Sequence, residues 1–154
     1  MIRIDIPATS ANLGSGFDSL GIALTMCNRV WMEEADELKI TTTDKIKVPT
    51  DETNLIYWAA RHLYQICGKT LPGLHIIQEN NIPMARGLGS SSACIVAGIL
   101  GANRMLGSPM SQSDLINLAA QIEGHPDNTS PAISGGLVAS AMEGKRVYSV
   151  SVPV

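Results

Sequence analysis

Aromatic side chains are scarce in this sequence: Phe, Trp and Tyr together make up 4% of its 154 residues. A core must therefore come from Ala, Ile, Leu, Val and Met, and a hydrophobic content of 45% is enough for one globular domain of this length. Charge of one sign is lacking too. A net charge of −3 gives no reason to expect a nucleic acid or an anionic membrane as partner. Cysteine is limited to Cys27, Cys67 and Cys94, an odd number without metal-ligand spacing. They read as small buried thiols, which suits a reducing compartment. No apolar run is long enough to cross a bilayer, and Met1 to Pro7 lack the apolar core of a signal peptide. The expectation is a soluble, cytoplasmic protein.

Several catalytic signatures are missing as well. There is no G-x-x-x-x-G-K-[ST] loop and no G-x-S-x-G elbow. Gly87-Leu88-Gly89 starts like a dinucleotide fingerprint, but Ser92 stands where that pattern needs a glycine. The three histidines are far apart, which argues against a metal site built from them.

What is present centres on Pro83-Met84-Ala85-Arg86-Gly87-Leu88-Gly89-Ser90-Ser91-Ser92-Ala93, between a strand-like Gly73–Gln78 and a helical run reaching about Leu106. Glycines allow positive φ and a close approach by a ligand. The serines bring hydroxyls, and a helix start brings unpaired N–H groups with partial positive charge. The combination suits an anion, above all phosphate. The plainer alternative is serine capping of a helix, although one cap needs only one serine.

In chain order, Ile2, Ile4 and Ile6 alternate with polar residues as in a half-buried strand, which Pro7 should end. Ala8 to Asp18 form a loop of small residues offering Asn12 and Asp18 as polar handles; on composition alone, an ordinary connecting loop, which Gly, Ser and Asn favour anyway, is the slightly better reading. Leu20–Thr25, Asn28–Glu33 and Leu38–Thr42 read as strand segments. Leu55, Ile56, Ala59, Leu63, Ile66 and Cys67 fall on one helical stripe, with Thr53 or Asn54 as N-cap and Gly68 as stop. Gly98 and Gly101 lie inside the helix after the serines and imply close packing against a neighbour. Ser111 to Ile122 form a third helix, leading into the polar cluster Glu123-Gly124-His125-Pro126-Asp127-Asn128. That cluster reads either as acidic Mg²⁺ ligands beside a possible base or as a helix-ending turn. Two strands around Glu143-Gly144-Lys145 follow, and a chain stopping at Val154 just after a strand reads as a fragment.

Pro83 to Ala93 resembles the P-x-x-x-G-L-G-S-S-x-x signature of the GHMP kinases. Pro7-Ala8-Thr9-Ser10-Ala11-Asn12-Leu13-Gly14-Ser15-Gly16-Phe17-Asp18-Ser19-Leu20-Gly21 is similar to the first motif of the homoserine kinases within them. It is unlike the A-P-G-[RK]-x-x-[LI]-x-G-E start of galactokinases and mevalonate kinases. Glu123 to Asn128, followed by Pro131-Ala132 and Gly135-Gly136, is similar to a third block of that family.

The resemblance implies an α+β fold: a mixed sheet with helices packed on one face and a left-handed βαβ unit, against the usual handedness. It implies that residues 1–154 are the N-terminal, ATP-binding domain, and that a C-terminal half with a further glycine-rich motif and substrate-holding arginines is absent, leaving this piece inactive alone. The activity implied is Mg²⁺-dependent transfer of the ATP γ-phosphoryl group to the hydroxyl of L-homoserine, in a protein that forms a homodimer in some relatives. Asn12 and Asp18 would hold the substrate. Pro83, Met84, Ala85, Arg86, Gly87, Leu88, Gly89, Ser90, Ser91, Ser92 and Ala93 would wrap ATP, with Ser92 opening the helix and Asn54 lining the adenine pocket. Ser91 and Glu123 would ligate Mg²⁺, and His125 and Asn128 would act at the substrate hydroxyl and γ-phosphate. Asp127 is the nearby carboxylate, although a loose transition state needs little early proton abstraction. The alternatives are a GHMP-like domain that binds a nucleotide or metabolite without catalysis, and a kinase for another small alcohol.

Overall fold

The computed structural model describes residues 1–11 and 20–153. Strand β1 (Ile2–Ala11) runs antiparallel along β2 (Leu20–Glu34), from Ile2 opposite Met32 to Ala11 opposite Gly21. Pro7 does not end β1. The register shifts between Pro7 and Thr9, and the strand continues past the shift. Proline is tolerated here because, among the described residues, β1 pairs with β2 alone, so a missing N–H can fall at the bulge of an edge strand.

The other edge of β2 serves two partners. Its C-terminal part, Arg29–Glu34, pairs antiparallel with β4 (Leu74–Glu79), and its N-terminal part, Leu20–Ile22, pairs antiparallel with β5 (Leu137–Glu143). Beyond β4 lies β3 (Lys39–Thr42), in parallel pairing; beyond β5 lies β6 (Arg146–Val152), antiparallel. The two segments expected before and after Met26 are thus one strand. Leu24 and Met26 are exposed, and among the described residues the fork in the sheet gives them no paired neighbour on that edge.

Helix α1 (Leu55–Ile66) joins β3 to β4 and makes the parallel βαβ unit. Ile56, Ala59 and Leu63 are buried as the stripe predicts, but Leu55 and Ile66 are exposed, and Tyr57, Ala60 and Tyr64 complete the buried face. The apolar spacing permitted a helix face rotated by one position. Cys67 caps α1, and Gly68 follows at φ 71°, the left-handed stop. Helix α2 (Ser90–Met105) packs on α1 and across β1 and β2. Helix α3 (Gln112–Glu123) opens with a capping box between Ser111 and Asp114, and its Asn117 accepts from Val147 N–H on β6 at 2.7 Å. A fourth helix, α4 (Thr129–Ser134), follows the Glu123–Asn128 cluster and contains Pro131 in its first turn. Proline is compatible with the first turn of a helix, where its N–H is not needed.

Alternation along the strands puts Ile4, Ile6, Val30, Met32, Leu74 and Ile76 into one core beneath α1 and α2. Fully burying each such side chain is worth about 1.5–3 kcal/mol. The opposite face carries Arg3, Asp5, Arg29 and Glu79, tied by Arg3–Asp5 at 2.8 Å and Arg29–Glu79 at 3.2 Å. The helices therefore cover one face of a mixed, six-stranded sheet, as expected. Among the described residues, no helix is long and apolar enough to cross a membrane.

Candidate active site

The start of α2 is built by backbone geometry rather than by a serine cap. Its N-cap is Gly89, in the left-handed conformation at φ 70°, with no side-chain cap. The helix opens at Ser90, two residues before Ser92, and its first bond runs from Ala93 N–H to the Gly89 carbonyl at 2.8 Å. Ser90, Ser91 and Ser92 thus occupy the turn whose N–H groups have no intrahelical acceptor. Ser91 is exposed, Ser90 is half-buried, and Ser92 is turned inward at 1% exposure. In the preceding loop, Ala85, Gly87 and Gly89 have positive φ while Arg86 and Leu88 do not. Such alternation curls backbone N–H groups toward a common concavity, the geometry that favours anions. Pro83 to Gly87 are exposed, whereas Leu88 packs on the core.

Beside this loop is a cavity of about 270 Å³ whose wall includes Lys47, Val48, Asn54, Gln78, Met84, Ser90, Ser91 and Cys94. A chain of amides builds its floor. Asn54 Oδ1 accepts from Ile56 and Tyr57 N–H at 2.9 and 3.4 Å, capping α1. Asn54 Nδ2 donates to the Pro49 carbonyl and to Gln78 Oε1, both at 2.9 Å. Gln78 Nε2 in turn donates to Asn80 Oδ1 at 3.2 Å, and Asn80 N–H donates to Asp44 Oδ2 at 2.7 Å. All four hydrogen-bonding positions of Asn54 are therefore filled inside the protein, and it contributes shape to the cavity wall. Burial pushes the Cys94 thiol up to about 11, so it stays protonated at neutral pH.

The cluster at the end of α3 lies on the other side of the loop. Gly124 ends α3 at φ 95°. Asp127 is 2% exposed, and its Oδ1 is in close contact with His125 Nδ1. A carboxylate beside Nδ1 favours the tautomer of a neutral imidazole that carries its proton on Nδ1, which would leave Nε2 as an acceptor. The Asp127 carbonyl presses on Gly21, where a Cβ would lie 1.9 Å from the oxygen. Asn128 Oδ1 accepts from Thr9 Oγ1 at 2.8 Å, and Thr9 N–H donates to the Leu88 carbonyl at 3.0 Å. A Cβ on Gly89 would come within 2.2 Å of Thr9 Oγ1 and 3.4 Å of Asn128 Oδ1. Strand β1, the glycine loop and the start of α4 thus meet at one point.

Sequence reasoning singled out the glycine loop and Asn128 but missed Thr9, which binds them together. Its partners lie far along the chain, so nothing local marks it. Gln78 was also missed, since inside a strand it carries no sign of its buried amide partner. Asn12 and Asp18 lie outside the described residues.

Residues 54–136, more than half of the chain, match the model of the GHMP kinases N terminal domain. The chain belongs to that family. This GHMP kinase domain is 44% identical, over its full length, to a homoserine kinase of Clostridium botulinum, strain 657, of which it covers 52%. It is 46% identical over 96% of its length to a homoserine kinase of Moorella thermoacetica, covering 50% of that protein. The crystal structure of a homoserine kinase from Cytophaga hutchinsonii superposes with a TM-score of 0.85 at 31% identity, over 99% of this chain and 52% of that one. A mevalonate kinase of Methanococcus jannaschii shares the fold, with a TM-score of 0.73 at 15% identity. The chain spans about half the length of the curated relatives it matches.

GHMP kinases use ATP, and the residues of this domain suit phosphate: the start of α2 is uncapped, and the loop before it alternates the sign of φ. For a divalent cation, Ser91 presents an exposed hydroxyl, and Glu123 ends α3 with a carboxylate in no hydrogen bond or ion pair among the described residues. Among those residues, no group of three or more His, Cys, Asp or Glu could hold a metal by itself. Ser91 and Glu123 are oxygen donors of the type that Mg²⁺ takes, one or two at a time, beside phosphate and water.

Proposed function

We propose that this chain is the nucleotide-binding half of an ATP:L-homoserine phosphotransferase. The observation carrying the proposal is the meeting of Thr9, Gly89 and Asn128 beside the uncapped start of α2. It joins three segments distant in sequence around a phosphate-suited helix end. Homoserine as acceptor is supported by the names of the relatives, which are similar over nearly the whole of this chain.

In this reading, Pro83 to Ala93 wrap the ATP phosphates and the cavity beside Asn54 takes the base. The homoserine ammonium and carboxylate are held by Asp18 and Asn12 together with groups of the second half. Ser91 and Glu123 would hold Mg²⁺, which when bound neutralises charge on the phosphate oxygens. The substrate hydroxyl oxygen bonds to the γ-phosphorus in line as the bond to the β-phosphate oxygen breaks, giving ADP and O-phospho-L-homoserine. The N–H groups of Ser90 to Ser92 face charge that develops during transfer and need no reorganisation. His125, fixed by Asp127, offers Nε2 to the hydroxyl proton, and the Asn128 NH₂ donates to oxygen at the reacting centre. Positioning carries most of the rate, because a loose transition state asks for little proton abstraction early.

The test is ADP release by the full-length protein with homoserine, threonine, mevalonate or galactose. Turnover with homoserine is expected; turnover with another of these alcohols but not homoserine overturns the assignment. The isolated 154-residue chain is expected to show almost none.

A further inference from the structure

Thr9 is 1% exposed and lies on β1 immediately after the register shift. Its main chain and its side chain do different work. The N–H holds the glycine loop through Leu88, whereas the hydroxyl holds Asn128. Asn128 is the N-cap of α4, where an asparagine oxygen ordinarily accepts from the helix's own N–H groups. Here it makes no such bond, and its oxygen faces Thr9 instead. Among the described residues, Asn128 Nδ2 donates to nothing. A carboxamide held by its oxygen keeps its NH₂ on the opposite edge, so the free donors are directed away from Thr9.

We propose that Thr9 is a positioning residue for phosphoryl transfer: its hydroxyl locks the Asn128 carboxamide with the NH₂ presented as donor to the oxygens of the reacting phosphoryl group. Phosphoryl oxygens are acceptors only, so a carboxamide turned the other way would present repulsion in place of a hydrogen bond. The hydroxyl is the necessary part, because valine has the same branched shape and would leave the Asn128 oxygen without its donor. This inference rests on the kinase reading above.

The experiment compares wild type, Thr9→Val and Thr9→Ser in the full-length protein, with two independent readouts. The first is steady-state kinetics. The backbone bond from residue 9 to Leu88 survives both substitutions, so the loop stays tethered. Thr9→Val is expected to lower kcat about tenfold, the equivalent of about 1.4 kcal/mol. The KM for ATP should stay within a factor of about three, a change below about 0.7 kcal/mol. Thr9→Ser is expected to retain most of kcat.

The second readout is the pair of side-chain NH₂ signals of Asn128 in an ¹⁵N-correlated NMR spectrum without ligands, assigned by their loss in Asn128→Asp. They are expected to move in Thr9→Val and to stay near the wild-type positions in Thr9→Ser. An unchanged kcat in Thr9→Val, a rise in ATP KM alone, equal losses in the two variants, or unmoved NH₂ signals in Thr9→Val each overturn the proposal. If the wild type phosphorylates a different alcohol, the acceptor assignment falls and the same comparison on that alcohol decides the role of Thr9. If it phosphorylates none, the kinase reading falls and takes the catalytic role of Thr9 with it.

Discussion

Gly98 of α2 lies against the carbonyl of Ile56 in α1, and a β-carbon in its place would sit 2.3 Å from that oxygen and 2.9 Å from Ala59 Cβ. Helix propensity alone favours alanine over glycine by about 1 kcal/mol. The backbone oxygen cannot move without shifting α1, so crowding wins. Gly98→Ala is expected to destabilise the protein by about 1–3 kcal/mol, the usual cost of overpacking. Gly101→Ala meets Met32 Sδ instead, at 1.8 Å. A thioether can rotate aside, so its effect should be smaller. Thermal midpoints of the two variants, measured together, give the order.

The two glycines of the loop should differ in kind. Gly87 and Gly89 have almost the same positive φ, 69° and 70°. A β-carbon on Gly87 meets nothing within 4 Å, whereas one on Gly89 collides with Thr9. Gly87→Ala should cost only backbone strain of about 1 kcal/mol, while Gly89→Ala adds a steric clash at the site. If the proposed kinase activity holds, kinetics of the full-length protein should show Gly89→Ala as the more damaged by about tenfold or more in kcat/KM, about 1.4 kcal/mol in transition-state binding. Equal damage would mean that the contact with Thr9 is not what matters.

Asp127 is expected to act through His125. Asp127→Asn keeps the shape but can present an NH₂ to Nδ1, which favours the opposite tautomer and turns Nε2 from acceptor into donor. We expect kcat to fall by about 10–100-fold, a range typical of lost groups that orient a histidine, with ATP affinity nearly unchanged. A parallel loss of ATP affinity would point to a collapse of the start of α4 instead.

Asp44 supplies a pH-dependent element away from the glycine loop. Burial raises its pKa, but the N–H groups of Asn80 and Ile46, at 2.7 and 2.9 Å, with help from the Asn80 amide, outweigh that and hold it below its ordinary value. A depressed folded-state pKa means stability that is fully present above the unfolded value, about 3.9, and lost as pH falls through the folded one. Asp44→Asn should therefore lower the thermal midpoint at pH 7, and the gap to wild type should close as the pH approaches 3. A gap independent of pH would exclude the charged form as the cause.

The fold and the site were legible in the sequence to different depths. Alternation at Ile2, Ile4 and Ile6, the Asn54 cap and the glycines of α2 each mark a local rule, and each stands in the structure. The continuation of β1 past Pro7 did not show, since whether proline is tolerated depends on a strand being at an edge. Nor did the unity of β2, whose exposed Leu24 and Met26 lie at a fork in its partners. In the site, glycine and serine spacing marked the loop, but the link from Thr9 to Asn128 is purely tertiary. The amide chain from Asn54 through Gln78 to Asp44 was hidden for the same reason.

The hydrogen bond between Thr9 and Asn128 closes a loop across 119 positions of the chain. Contacts of such separation form late, after nearer ones have repaid the entropy of drawing the ends together. During synthesis, β1 and the glycine loop are made well before their third partner exists. A growing chain cannot acquire this junction until the start of α4 has emerged, when the first four strands and three helices are already made and β5 and β6 are still to come.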